Sequence, residues 1–192
     1  MGVINQVKKI NKGIEVIIRT ANIQDSGKMI ELIKTIDSEN RYMIRKPGEY
    51  KKTLSEMELR INNIIISKNS LLAVAEVDGQ IVGYVKFDGK NKERLKHKGE
   101  FPIGITKNYW GKGIGSFLME EMLGWCRNAG IVKAELKVAE KNNRGIQLYK
   151  KYGFKVVGIF TEPQIQHIRV TSICNLPMYL SDRVIAYIKQ LI

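Results

Sequence analysis

A glycine-rich run, Asn108-Tyr109-Trp110-Gly111-Lys112-Gly113-Ile114-Gly115-Ser116-Phe117-Leu118, leads straight into an amphipathic segment and constrains the chain more than any other stretch. Ile114, Leu118, Met122 and Trp125 recur at a helical interval, so the spacing predicts a helix that begins at or just after Gly113. Glycines crowd the start of that helix. Glycine tolerates positive φ and close approach of a ligand, and the free N–H groups of a first helical turn, aided by the helix dipole, attract anionic oxygens. Upstream, Glu100-Phe101-Pro102-Ile103-Gly104-Ile105-Thr106 has the length and β-branched content of a strand, so the unit reads strand, short loop, helix, with the loop a candidate phosphate cradle. A Walker-type loop fails on spacing, because Lys112 lies between glycines. A dinucleotide fingerprint would stand in an early βαβ unit rather than beyond the middle of the chain. Glycines that merely turn a strand into a helix remain the plainer alternative.

About thirty residues on, Asn142-Asn143-Arg144-Gly145-Ile146-Gln147-Leu148-Tyr149-Lys150-Lys151-Tyr152-Gly153-Phe154 is a second, short helical pattern, stopped by Gly153. Together the two stretches resemble the coenzyme A-binding core of the GNAT (Gcn5-related N-acetyltransferase) superfamily, over roughly residues 15–180. The first matches its Gln/Arg-x-x-Gly-x-Gly/Ala motif with Trp110 in the Gln/Arg position. The second matches its Asn-x-x-Ala-Ile-x-Leu-Tyr-x-x-x-Gly-Phe helix with Gly145 in place of alanine. The strand from Glu100 to Ile105 is locally similar to that of spermidine acetyltransferases.

The resemblance implies one α/β domain over residues 1–192. It would be built on a mixed, largely antiparallel sheet of six or seven strands, with helices on both faces and a cofactor cleft where two parallel strands splay apart. It implies an N-acetyltransferase that uses acetyl-CoA and needs no metal. Ile103 and Ile105 would offer backbone groups to the pantetheine amides, Gly111, Lys112, Gly113, Ile114, Gly115 and Ser116 would bind the pyrophosphate, and Asn142 would contact the pantetheine arm. Tyr149 would protonate the departing thiolate, and Glu100 would act as base, with His97 or a water chain as alternatives. Glu39 and Tyr42, in the segment after the first long helix, would border the acceptor amine, although an exposed Glu in a loop is more often simple surface.

Composition narrows the rest. The formal net charge of +13 admits a nucleic-acid partner, an anionic ligand or a solvated lysine-rich surface. No zinc-ligand spacing and no base-reading helix pattern accompany it, so nucleic acid is not expected. Polyamine acceptors sit awkwardly with that charge, and a small neutral or anionic amine suits it better; a peptide or protein N-terminus and a non-catalytic acyl-CoA sensor are the alternatives. Cys126 and Cys174 read as buried thiols rather than a disulfide framework. No apolar stretch has membrane-spanning length and the amino terminus lacks a secretory h-region, so a cytoplasmic location without membrane attachment is expected.

Element by element, residues 1–13 read as a lead-in and Glu15 to Arg19 as the first strand. A helix capped by Asp25 or Ser26 follows, its pattern broken by the stretch from Asp37 to Met43. Thr53 and Glu56 form a capping box for a second helix with Leu54, Met57, Ile61, Ile64 and Ile65 inward. Asp78-Gly79 joins a hairpin, residues 89–98 read as a basic loop, and strands are expected at 131–139, 154–160 and within 166–180. The amphipathic tail, 181–192, would be a helix that covers the core or forms a homodimer contact.

Overall fold

The sheet grows outward from its central hairpin. Asp78 and Gly79 both take positive φ, 48° and 75°. That backbone makes the tight turn between β3 (Ser70–Val77) and β4 (Gln80–Gly89), whose twist matches the strands it joins. The computed structural model describes residues 3–10, 13–40, 42, 45–162 and 165–173. Among them nine strands form one sheet in the order β1-β2-β3-β4-β5-β7-β9-β8, with β6 paired to β4 alone. β2 (Glu15–Thr20) and β1 (Asn5–Lys9) extend it on one side; β5 (Lys98–Glu100), β7 (Lys133–Ala139), β9 (Ile165–Ile173) and β8 (Lys155–Glu162) extend it on the other. Every pairing is antiparallel except β5 with β7.

Two differences raise the strand count above six or seven. Residues 5–9, expected as lead-in, form an edge strand. Asn5-Gln6-Val7-Lys8-Lys9 shows no hydrophobic alternation because most of its side chains face solvent; only its flanks, Ile4 and Ile10, are buried. Lysines on such an edge discourage pairing with another chain. The expected strand from Glu100 to Thr106 is broken at Phe101-Pro102 into β5 and β6 (Ile103–Ile105), and β5 already begins within the expected basic loop.

Side-chain alternation divides the helices between the faces. Leu72, Val74, Ile81 and Tyr84 pack against α1 (Ser26–Glu39) and α2 (Leu54–Ile66), while Ala73, Ala75, Val85 and Phe87 pack against α3 (Ile114–Asn128). Asp25 precedes α1, but its carboxylate accepts from the Arg19 guanidinium at 2.7 and 2.8 Å and from the Asn22 N–H rather than capping the helix. α1 ends at Glu39, within the stretch expected to break it, and near that end Arg45 neutralises the buried Asp37 carboxylate with two hydrogen bonds. The capping box of α2 is present. Met57, Ile61 and Ile64 are buried, but Leu54 and Ile65, expected inward, are exposed. Leu54 opens the first turn, and Ile65 is rotated about 100° from Ile64. Cys126 is buried in α3; Cys174 and the tail 181–192 lie outside the described residues. No helix among the described residues is long and apolar enough to cross a membrane.

Candidate functional site

The sheet opens where β5 gives way to β6. Glu100 lies between Asp88 of β4 and Glu135 of β7, and the Phe101 N–H still reaches the Glu135 carbonyl at 3.0 Å. Pro102 brings no N–H, and its carbonyl accepts from the Lys86 N–H on β4. From there β6 stays with β4 alone, while β7 continues beside β9. The bonds at Pro102 and Thr106 turn the even-numbered backbone groups toward β4, so Ile103 and Ile105 present theirs to the gap beside β7. The Ile105 carbonyl is met by the Trp110 indole N–H at 2.7 Å.

Beyond β6 the chain makes a 3-10 turn, Lys107–Tyr109, whose first N–H donates to Glu39 at 2.7 Å. Glu39, expected near the acceptor, thus ties the end of α1 to the start of the glycine loop. Gly111 and Gly113 hold φ of 74° and 88°, which L side chains rarely adopt. The first helical bond of α3 runs from the Ser116 N–H to the Gly113 carbonyl, so the amides of Gly111 through Gly115 precede it. A side chain at Gly111 would enter open space, whereas a Cβ at Gly115 would lie 3.1 Å from Leu148 and 3.3 Å from Ile105. Two glycines therefore shape the loop and the third lets α3 pack on its neighbours. Cations ring the amides: Lys112 lies over the Tyr109 ring, Arg144 stacks on Trp110 at 3.6 Å, and Lys151 donates to the Ser116 hydroxyl. An open crown of amides at a helix N-terminus, edged by cations, fits a pyrophosphate.

α4 (Asn143–Lys151) is capped by Asn142, whose Oδ1 accepts from the Gly145 N–H at 3.0 Å. The Asn142 side chain folds so closely over Gly145 that a Cβ there would come within 2.9 Å of Nδ2, and the amide would have to shift to admit the family's alanine. Tyr149 is buried with its ring against Phe101 and Phe154, and these three aromatics fill the point where β5 breaks. Its hydroxyl makes no hydrogen bond among the described residues. Burial pushes the phenol well above its usual pKa and the nearby Tyr84 phenol adds to this, so Tyr149 stays protonated at neutral pH.

Glu100 lies on the α1/α2 face, 49% exposed, with its carboxylate 3.0 Å from Lys90. Tyr42 follows the end of α1 and donates its N–H to Asn40. His97 is exposed ahead of β5. Sequence reasoning missed Tyr84, which stands opposite Gly104 of β6; a Cβ at Gly104 would lie 2.9 Å from its ring. It missed Arg45, Tyr50 and Arg60 as well, which gather near Tyr84 from the α1–α2 connection and α2. Glycine opposite a strand tyrosine was the one local hint. Among the described residues no group of His, Cys, Asp and Glu could hold a metal ion.

Residues 34–154, more than half of the chain, match the model of the acetyltransferase (GNAT) family. The chain belongs to that family. Both glycine-containing motifs fall inside the match. A stretch of 86 residues is 36% identical to the L-amino acid N-acetyltransferase AaaT of Escherichia coli K12, covering 44% of this chain and 53% of that protein. The chain thus spans about half the length of this curated relative. The N-alpha-acetyltransferase of Sulfurisphaera tokodaii is 29% identical over 162 residues, which is 77% of this chain and 85% of that one. Among solved structures, a GNAT-family acetyltransferase from Streptococcus pneumoniae superposes with a TM-score of 0.78 at 27% identity, covering 82% of this chain and 98% of that one. The GNAT fold expected from the motifs is therefore the fold observed.

Proposed function

We propose that this GNAT protein is an acetyl-CoA-dependent N-acetyltransferase acting on the primary amine of a small molecule. The observation that carries the reading is the parting of β6 from β7 beside a crown of free amides, with a neutral, unpartnered tyrosine at the base of the gap. When bound, acetyl-CoA supplies an activated acyl carbon and a polyanionic handle. The amides of Gly111, Lys112, Gly113, Ile114 and Gly115, with Ser116 at the first helical bond, hold the pyrophosphate. Lys112, Arg144 and Lys151 complement its charge. Ile103 and Ile105 offer strand-like hydrogen bonds to the pantetheine amides, and Asn142 retains its Nδ2 donor for the same arm. Glu39 and Tyr42 border the acceptor.

Attack requires a neutral amine, so the acceptor ammonium first gives up a proton, which Glu100 takes through water. The C–N bond forms as the C–S bond breaks. Tyr149 protonates the departing sulfur, and the second proton lost by the acceptor nitrogen restores the phenol. Of the two curated relatives, one is named an L-amino acid N-acetyltransferase and the other an N-alpha-acetyltransferase. The second name favours acetylation of a peptide or protein N-terminus as the alternative.

Incubation with acetyl-labelled acetyl-CoA and an extract of the source cells tests the reading. Label in the small-molecule fraction is expected. Label confined to protein would support the N-terminal alternative. No transfer to either fraction, with acetyl-CoA still bound, would overturn the enzyme reading in favour of an acyl-CoA sensor.

A further inference from the structure

The sheet face covered by α1 and α2 carries a pocket that the steps above leave unused. A cavity of about 130 Å³ lies there, lined on its polar side by Arg45, Tyr50, Arg60, Tyr84 and Lys86, with Pro102 at its edge. Pro102 is the residue at which β6 leaves β7, and Tyr84 lies over β6 close enough to affect the Tyr149 phenol. The pocket therefore backs onto the transfer cleft.

Its polar groups are not mutually satisfied. Arg45 is engaged by Asp37, and Lys86 by Asp88 at 2.6 Å. Arg60 has no ion-pair partner among the described residues. Tyr50 is buried, and its hydroxyl closes no hydrogen bond of ordinary geometry among the described residues, although the Arg60 guanidinium approaches it. Burial raises the Tyr50 pKa, while the nearby Arg60 and Arg45 charges oppose the rise without reversing it, so the phenol remains a donor. One cation and one buried donor thus face the same space without an acceptor, a pattern that calls for an anion with two oxygens. The volume is close to the roughly 150 Å³ that accommodates benzene, about six heavy atoms.

We propose that this pocket is the acceptor's anchoring subsite, where Arg60 and Tyr50 hold the carboxylate of a small amino acid whose amine is directed past Tyr84 toward Tyr149. The inference rests on the N-acetyltransferase reading and narrows its substrate class. A peptide N-terminus lacks a carboxylate beside its amine, and a polyamine would meet a pocket with surplus positive charge.

The test compares free α-amino acids, their carboxamides and the matching decarboxylated amines as acceptors for the wild type, Arg60→Gln and Tyr50→Phe. The free amino acids should be preferred. Arg60→Gln should raise their KM roughly tenfold or more with kcat largely kept, and leave the KM of the carboxamides unchanged. Tyr50→Phe should do the same more weakly. Equal use of all three acceptors by the wild type, or an equal loss with all three in Arg60→Gln, overturns the proposal while leaving the acetyltransferase reading intact. Equilibrium dialysis with labelled amino acid reads the subsite without turnover: retention by the wild type and loss in Arg60→Gln support the subsite even if transfer fails, and no retention overturns it.

Discussion

The Asp37–Arg45 pair makes an asymmetric prediction. Arg45 donates two hydrogen bonds, 2.8 and 2.9 Å, to a carboxylate whose side chain is 1% exposed, whereas the arginine side chain is 39% exposed. The same bonds raise the Arg45 pKa against the opposing effect of burial. Arg45→Met leaves a charge in the core, an error that costs about 3–5 kcal/mol when both partners are buried. Because water can reach the arginine end, the discounted cost is about 2–3 kcal/mol. Asp37→Asn leaves a cation that can turn to solvent, at about 1 kcal/mol. At roughly 2–4 °C per kcal/mol for a chain of this size, Arg45→Met should lower Tm by about 4–12 °C and Asp37→Asn by about 2–4 °C. Replacing both by apolar residues, Asp37→Leu with Arg45→Met, should recover most of the loss. Calorimetry at neutral pH with a urea titration checks the order. Equal losses for the two single variants, or an Arg45→Met protein that melts with the wild type, would refute the reasoning.

Three further expectations follow from other contacts. A Cβ at Gly99 would lie 2.5 Å from the Asp88 carbonyl and from the Phe87 ring. Gly99→Ala should therefore cost about 1–3 kcal/mol in urea unfolding, and an unchanged midpoint would contradict the close packing of β5 on β4. Trp110→Phe removes the indole bond to the Ile105 carbonyl and keeps an aromatic surface for Arg144. If the amide crown carries the cofactor, acetyl-CoA Kd should weaken by less than about tenfold, and abolished binding would contradict that. Burial works to raise the Asp25 pKa, but the Arg19 hydrogen bonds, the Asn22 N–H and the Arg19 charge outweigh it, so the folded value lies below 3.8. Asp25 thus contributes stability that is complete above its unfolded value and lost as pH falls through the folded one. Wild-type stability should drop more steeply below about pH 4 than that of Asp25→Asn, as urea titrations at pH 5 and pH 3 can read.

Local chemistry was legible wherever one short segment carries it. The Asp78-Gly79 turn, the Thr53/Glu56 box and the helix start at Ile114 each depend on residues within four positions of one another, and each was found where expected. The GNAT fold was legible because both glycine-containing motifs lie in continuous stretches. β1 was not, since its polar residues are held by pairing with β2 rather than by a buried face. The break at Phe101-Pro102 escaped because Ile103 and Ile105 continue the β-branched pattern across it, and only the competition of β4 and β7 for this chain separates them. The pocket of Arg45, Tyr50, Arg60 and Tyr84 has no local signature beyond the glycine opposite Tyr84. Its members come from a connection, a helix and a strand, and only the packing of α1 and α2 on β4 brings them together.

Tyr149 is the proposed proton donor to sulfur, and Tyr149→Phe measured in steady state tests this most directly. The ring contacts with Phe101 and Phe154 survive the change, and no hydrogen bond among the described residues is lost. Tm and the Kd for acetyl-CoA should therefore stay close to wild type, while kcat falls by about 10²–10⁴-fold. A variant that turns over at the wild-type rate, or one whose loss of kcat tracks a loss of folded protein, would contradict the role given to this phenol.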